Sequence, residues 1–273
     1  MGYSIFDETM VDMTWPAIEE AAGKGAIVIL PAGIIEEHGP HMGLAVDIYI
    51  AYLVSVLTKQ ELGKRGINAL IAPPYYWGIS PSTGNFGGTF SVRKETMKAV
   101  IYDILASLKG WGFNRVFIVN WHADYHHCLA MLDGIKDARR ETGIEACCVL
   151  TESDVPRLKL SGAEEYIVVQ KGAPSWGEPK EYVDLHAGSL ETGIMLQYFP
   201  QQVNAALAKT LKGTELTYND LRGLGKSDEA TRKLIPGGYF GDPAGYDTGA
   251  AKKYVEAYSL SLADTLEESV KGN

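Results

Sequence analysis

Short apolar runs alternate with stretches of helical periodicity along the chain, a pattern that belongs to parallel βα units. Ala26-Ile-Val-Ile-Leu30 is apolar throughout, as a strand covered on both faces must be. Asn68–Ala72, Arg115–Asn120 and Glu145–Leu150 read as further strands. A helix is predicted to start at Thr14-Trp15-Pro16, where a first-turn proline precedes Glu19-Glu20. Others are predicted over about Asp47–Leu62, Val92–Trp111, His126–Glu141, Gly188–Tyr198 (stopped by Pro200) and Thr248–Val270. Residues 73–91, rich in Gly, Pro, Ser and Thr, read as a long loop, and 161–184 and 223–247 as irregular. No repeat, low-complexity tract or Pro/Ser-rich linker divides the chain. One α/β domain over residues 1–273, with a mainly parallel central sheet, is expected.

Composition narrows the function classes. With 273 residues, 46% hydrophobic and 22% charged, the chain can bury a sizeable core and is not mainly disordered. A formal charge of −9 and no Lys/Arg run argue against a nucleic-acid surface. The longest apolar run, Ala26–Ile35, is too short to span a bilayer and contains a Pro and a Gly. The N-terminus lacks a basic segment followed by an apolar one, and Phe6 stands where a myristoylation motif wants Ser or Thr, so a cytoplasmic protein is expected. Three cysteines make no disulfide framework: Cys147 and Cys148 are adjacent on a strand and should face opposite ways, and Cys128 lies in a helix.

The candidate chemistry lies in the histidines. All six fall in three places: His38 and His41; His122, His126 and His127; and His186. The first two groups follow predicted strands, where ligands gather in open α/β sheets. Glu36 and His38 are two apart on an extended loop and can face one site; Asp47, at the next helix start, can bridge two ions. An aspartate opening a helix is ordinarily an N-cap, but beside Glu36 and His38 it reads as a ligand. His122 and Asp124 repeat the two-apart spacing, whereas His126 and His127 read as supporting or surface histidines. His186, followed by Glu191 inside a helix, reads as a catalytic acid/base with an orienting carboxylate. Imidazoles mixed with carboxylates suit Zn²⁺ or Mn²⁺. Structural metal sites tend to be closed and thiolate-rich, unlike these clusters. A nucleotide-binding module would need a phosphate cradle, and Gly225-Lys226-Ser227 lacks both the first glycine and a preceding strand.

Glu36-x-His38-Gly-Pro-His with Asp47, then Asn120-x-His122, then His186-Ala-Gly-x-x-Glu191-Thr192, resembles the creatininase (creatinine amidohydrolase) family. Gly87-Gly88-Thr89 and Gly241-Asp242-Pro243 are further matches, and the resemblance covers about residues 10 to 260 in order. It implies a layered α/β sandwich, often assembled as a homohexamer, that acts on a small-molecule substrate. It also implies two divalent ions, Zn²⁺ or Mn²⁺, with iron as a third option. By position, Glu36 and His122 would hold one ion, His38 and Asp124 the other, with Asp47 between them. His186 would be the catalytic histidine, Glu191 would orient it or contact the metal shell, and Ser80 would touch substrate.

The implied reaction is hydrolysis of a non-peptide C–N bond in a small cyclic amide. A formamide, or ring-opening of a cyclic keto-sugar, is the alternative within the family. Trp121 stands where the family has a small residue, Asp124 where creatininase has Glu, and Tyr125 where Asn is usual. Tyr75-Tyr76-Trp77, Phe86, Trp121, Trp176 and Tyr182 suggest a small aromatic-walled pocket for a compact, uncharged ring.

Overall fold

A computed structural model describes residues 4–176, 182–224 and 228–272. In chain order its elements are α1 (Trp15–Gly23), β1 (Ile27–Ala32), α2 (Val46–Lys64), β2 (Ala69–Ile71), α3 (Lys94–Gly110), β3 (Arg115–Asn120) and α4 (Tyr125–Thr142). There follow β4 (Glu145–Thr151), the single turn α5 (Asp154–Arg157), β5 (Ile167–Gln170), α6 (Ser189–Tyr198), the short α7 (Ala205–Ala208) and α8 (Asp228–Leu234), and α9 (Thr248–Lys271). Gly225-Lys226-Ser227 lies outside the described residues.

All five strands are parallel, in the order β2-β1-β3-β4-β5. The sheet is sandwiched between two helical layers. Val28, Leu30, Val116, Ile118, Ala146 and Cys148 face α1, α3 and α4, with Met97, Ile101, Leu105, Met131 and Ile135 packed on them. Ile27, Ile29, Phe117 and Val119 face the other way, toward α2, α6 and α9 through Val54, Ile194, Val255 and Leu262. Every residue of β1 is buried, which explains its unbroken apolar run. Cys148 lies in one layer and Cys147 against the other, as their adjacency predicts.

The fold is α/β, as the pattern implies, with one strand unforeseen. β5 occupies Ile167–Gln170 inside the stretch read as irregular, and it forms the edge of the sheet beside β4. The strand order reverses between β1 and β3, with β2 on one side and β4 on the other. In open parallel sheets the crevice beyond the carboxyl ends of the strands at such a reversal is where ligands bind. The loops leaving β1 and β3 carry Glu36 and His122 into that crevice.

Candidate metal centre and its cavity

Glu36 and His38 ride on the loop leaving β1, and Asp47 sits in the first turn of α2. Gly33 lets these two segments close on each other, because a Cβ there would lie 2.8 Å from the Asp47 Cβ. His122 follows β3, and Glu191 comes from the first turn of α6. All five side chains are buried.

Among the described residues three triads of potential ligand atoms result. Two share one aspartate, Glu36 with Asp47 and His122, and His38 with Asp47 and Glu191; the third, Glu36 with His38 and His186, lies between them and lacks it. Asp47 spans the first two, with Oδ2 3.1 Å from His122 Nδ1 and Oδ1 3.4 Å from His38 Nε2. His122 Nδ1 is also 3.2 Å from Glu36 Oε1, and His38 Nε2 is 3.8 Å from Glu191 Oε2.

The outer nitrogens are tied back. His122 Nε2–H donates to the Ile79 carbonyl at 3.1 Å, and His38 Nδ1–H donates to the Glu36 carbonyl at 3.1 Å. Each bond fixes the ring and turns the other nitrogen inward, the arrangement found behind metal-bound histidines. His38 Nε2 and Asp47 Oδ2 are buried without a hydrogen-bond partner among the described residues. Buried polar atoms are rarely left so, and a cation between them would satisfy both. Imidazole nitrogens with carboxylate oxygens and no thiolate fit Zn²⁺ or Mn²⁺.

The electrostatics agree. Burial opposes charge on Asp47, but the close approach and charges of His122 and His38 outweigh it and hold the carboxyl at about 2. Burial likewise opposes charge on His38, yet Asp47, Glu191 and Glu36 push its pKa up to about 10. Glu36 is driven well below the carboxylate range and His122 well above the histidine range, each by the other against the cost of burial. A cluster this rich in buried carboxylate stabilises whatever positive charge enters it.

Not every expected residue joins the cluster. Asp124, foreseen as a ligand for the second ion, caps α4 instead: one carboxylate oxygen accepts from His126 N at 2.8 Å and His127 N at 3.0 Å. Glu191 takes its place beside His38 and Asp47. Asp lacks one methylene of the Glu usual in creatininase, and the helix amides hold its carboxylate. Ser80, foreseen as a substrate contact, is fully buried beneath the cluster. Its Oγ lies 2.6 Å from Thr83 Oγ1, which donates to Glu36 Oε2 at 2.5 Å. His127 supports rather than ligates, with Nε2–H on Asn120 Oδ1 and Nδ1 accepting from Ile79 N, while His126 is exposed.

His186 lies against the cluster, its ring 4.5 Å from that of His38. Its Nδ1 is 3.7 Å from Glu36 Oε1 and its Nε2 3.4 Å from Glu37 Oε1. The carboxylate that orients it is therefore Glu37, which the sequence reading passed over in favour of Glu191. Glu37 Oε2 accepts from Gly39 N, and its carboxylate packs on Gly238, whose φ of +70° and close approach leave no room for a Cβ. The available signal was alternation: on an extended loop Glu37 points away from Glu36 and His38, toward the other wall.

A cavity of about 700 Å³ opens on the Glu191 side, lined by Trp121, Trp176, Tyr182, Tyr254 and Tyr258 among others. Trp121, Trp176 and Tyr182, expected in a small pocket, line this larger space. Tyr75, Tyr76 and Trp77 line a separate apolar groove against α3, and Phe86 lies under the Arg232 guanidinium.

A family model described as "Creatininase: Creatinine amidohydrolase" matches residues 11–266. The chain belongs to the creatininase family. It is 27% identical over 202 residues to the creatinine amidohydrolase of Pseudomonas putida, covering 71% of this chain and 72% of that one. It is 26% identical over 179 residues to a mycofactocin precursor peptide peptidase of Mycolicibacterium smegmatis, covering 65% and 60% of the two chains. A 3-dehydro-scyllo-inosose hydrolase of Thermotoga maritima matches over 111 residues at 27%, covering 40% of this chain and 34% of the other. Among solved structures, a creatininase superposes with a TM-score of 0.73 at 20% identity, covering 97% and 98% of the chains. A manganese form of creatininase gives 0.72, covering 97% and 99%. The chain is a creatininase-family hydrolase, and among its described residues no helix is long and apolar enough to cross a membrane.

Proposed function

We propose that this hydrolase binds two divalent metal ions and cleaves a non-peptide amide C–N bond, with a creatinine-like cyclic amide as the core of its substrate. The observation that carries the reading is the pair of triads joined by Asp47, each with an imidazole nitrogen turned inward. Glu36, Asp47 and His122 would hold one ion and His38, Asp47 and Glu191 the other. Bound there, the ions supply Lewis-acid polarisation of a carbonyl and a water of lowered pKa.

The chain's own groups do the rest. Glu37 holds His186 so that Nδ1 faces the cluster, and the neighbouring carboxylates raise the basicity of His186 against the effects of burial and of His38. His186 is placed to carry a proton to the departing nitrogen. The Ala187 N–H donates to Glu191 Oε2 at 2.7 Å, and Ala187, at φ +51°, takes the left-handed backbone that lets it do so. We also propose that the chain assembles as a homohexamer in the cytoplasm, which sedimentation velocity and cell fractionation would check.

Elemental analysis of protein prepared without chelator should give close to two ions per chain, and one ion would remove the binuclear reading. Creatinine, hydantoins, lactams, formamides and inosose-type ketones, offered to the metal-loaded enzyme, should single out a cyclic amide. Turnover of only the formamides or only the ketones would move the substrate to another branch of the family. His186→Ala should lower kcat by roughly 10²- to 10⁴-fold with metal content unchanged. Full activity would take the proton transfer away from His186.

A further inference from the structure

At about 700 Å³ the cavity is the size of sites that hold drug-sized organic ligands, far more than a single five-membered ring requires. One wall is a continuous run of rings. Trp176 meets Tyr254 edge-on at 5.8 Å, Tyr254 stacks on Tyr258 at 6.1 Å, and Tyr258 meets Trp121 edge-on at 5.4 Å. The run is anchored to the metal side. Trp176 Nε1–H donates to Ser189 Oγ at 2.9 Å, and Ser189 opens the helix that carries Glu191.

The charged side chains that line the cavity, among the described residues, are all acidic: Glu152, Asp184 and Glu191. Two of them are engaged. Asp184 accepts from Ser189 N, Ser189 Oγ and Asp242 N, and Glu191 accepts from Ala187 N and faces His38. Glu152, just beyond β4, is exposed at the rim, where its Oε2 accepts from Gly172 N at 3.3 Å. Aromatic faces with a rim carboxylate and, among the described lining residues, no opposing cation attract positive charge and repel anions, because the ring quadrupole presents its negative face.

We propose that the cavity binds the cationic end of the substrate, a quaternary or alkyl-substituted ammonium group, on the Trp176–Tyr254–Tyr258–Trp121 wall, with Glu152 as counter-charge. This rests on the amide-hydrolase reading, since it is Glu191 that joins the cavity to the cluster. It replaces the expectation of a compact uncharged ring. The substrate is then an amide whose scissile group sits at the metals and whose positive charge is carried on a substituent away from it.

Titration calorimetry on the metal-loaded protein with choline and with its uncharged isostere, 3,3-dimethylbutan-1-ol, isolates the charge. Choline should bind roughly three- to thirty-fold tighter, the range cation–π contacts provide. Glu152→Gln should shrink that ratio, and so should Tyr254→Leu, with two ions per chain retained in both. Equal affinity for the two compounds, a preference for the neutral one, or no saturable binding of choline would overturn the proposal. So would an unaltered ratio in both variants. Metal content and turnover of the amide panel are read separately. An enzyme that hydrolyses amides but ignores the charge fails this inference alone, whereas one that prefers choline but hydrolyses no amide fails the reading beneath it.

Discussion

An imidazole has two nitrogens, and the one left free decides what it can hold. In His38 and His122 a backbone carbonyl occupies the outer nitrogen, so both rings turn the other nitrogen to the carboxylates. Asp124 has the opposite fate, because the helix-terminal amides of His126 and His127 already occupy its carboxylate. These environments separate the two candidate carboxylates for the second ion. Asp124→Asn keeps an equally good N-cap and should leave metal content and thermal stability near wild type. Glu191→Gln retains an acceptor for Ala187 N–H but gives up the anionic ligand, and one ion per chain should remain after gel filtration. Loss of an ion from Asp124→Asn, seen by elemental analysis, would return the second site to Asp124.

Among the elements, those buried on both faces could be read from sequence. β1 throughout and β3 from Val116 to Val119 are apolar because helices cover both sides, and their ends place Glu36 and His122 at the strand-order reversal. β5 gave no such signal. It has two residues only half-buried and is parted from β4 by a single helical turn, so the βα alternation that marked the equally short edge strand β2 was missing. Contacts between distant segments were harder to read: Glu37 with His186 spans 149 residues, and alternation tells which wall Glu37 faces but not which partner waits there. The same holds for the loop after β2, read as a substrate contact through Ser80. Its Thr83 hydroxyl instead steadies Glu36, with Ser80 behind it. Thr83→Val keeps the shape and removes the donor, and should weaken metal binding by roughly 10- to 100-fold, as loss of an outer-shell bond to a ligand does. Thr83→Ser should restore it. Equal metal affinity in all three, measured by competition with a chromophoric chelator, would reduce Thr83 to packing.

For the whole molecule, the cluster ties folding to pH in a way that metal should reverse. His38 has its pKa raised from 6.5 to about 10, so in chelator-treated protein it contributes stability that is full below pH 6.5 and lost as the pH rises through about 10. Asp47, lowered from 3.8 to about 2, contributes stability above pH 3.8 that is lost as the pH falls through about 2. Divalent ions displace the proton from His38 and supply positive charge that alkali does not remove. Metal-loaded protein should therefore keep its melting temperature across the interval from 6.5 to about 10, where chelated protein loses stability steadily. Toward acid the two forms converge, because protons compete with the ions for the same ligands and metal is released before the carboxylates are neutralised. Thermal melts of both forms across this range, with bound metal measured at each pH, give the comparison directly. Parallel alkaline curves for the two forms would mean that His38 takes no part in metal binding, and with it the triad it shares with Asp47 and Glu191 would fall.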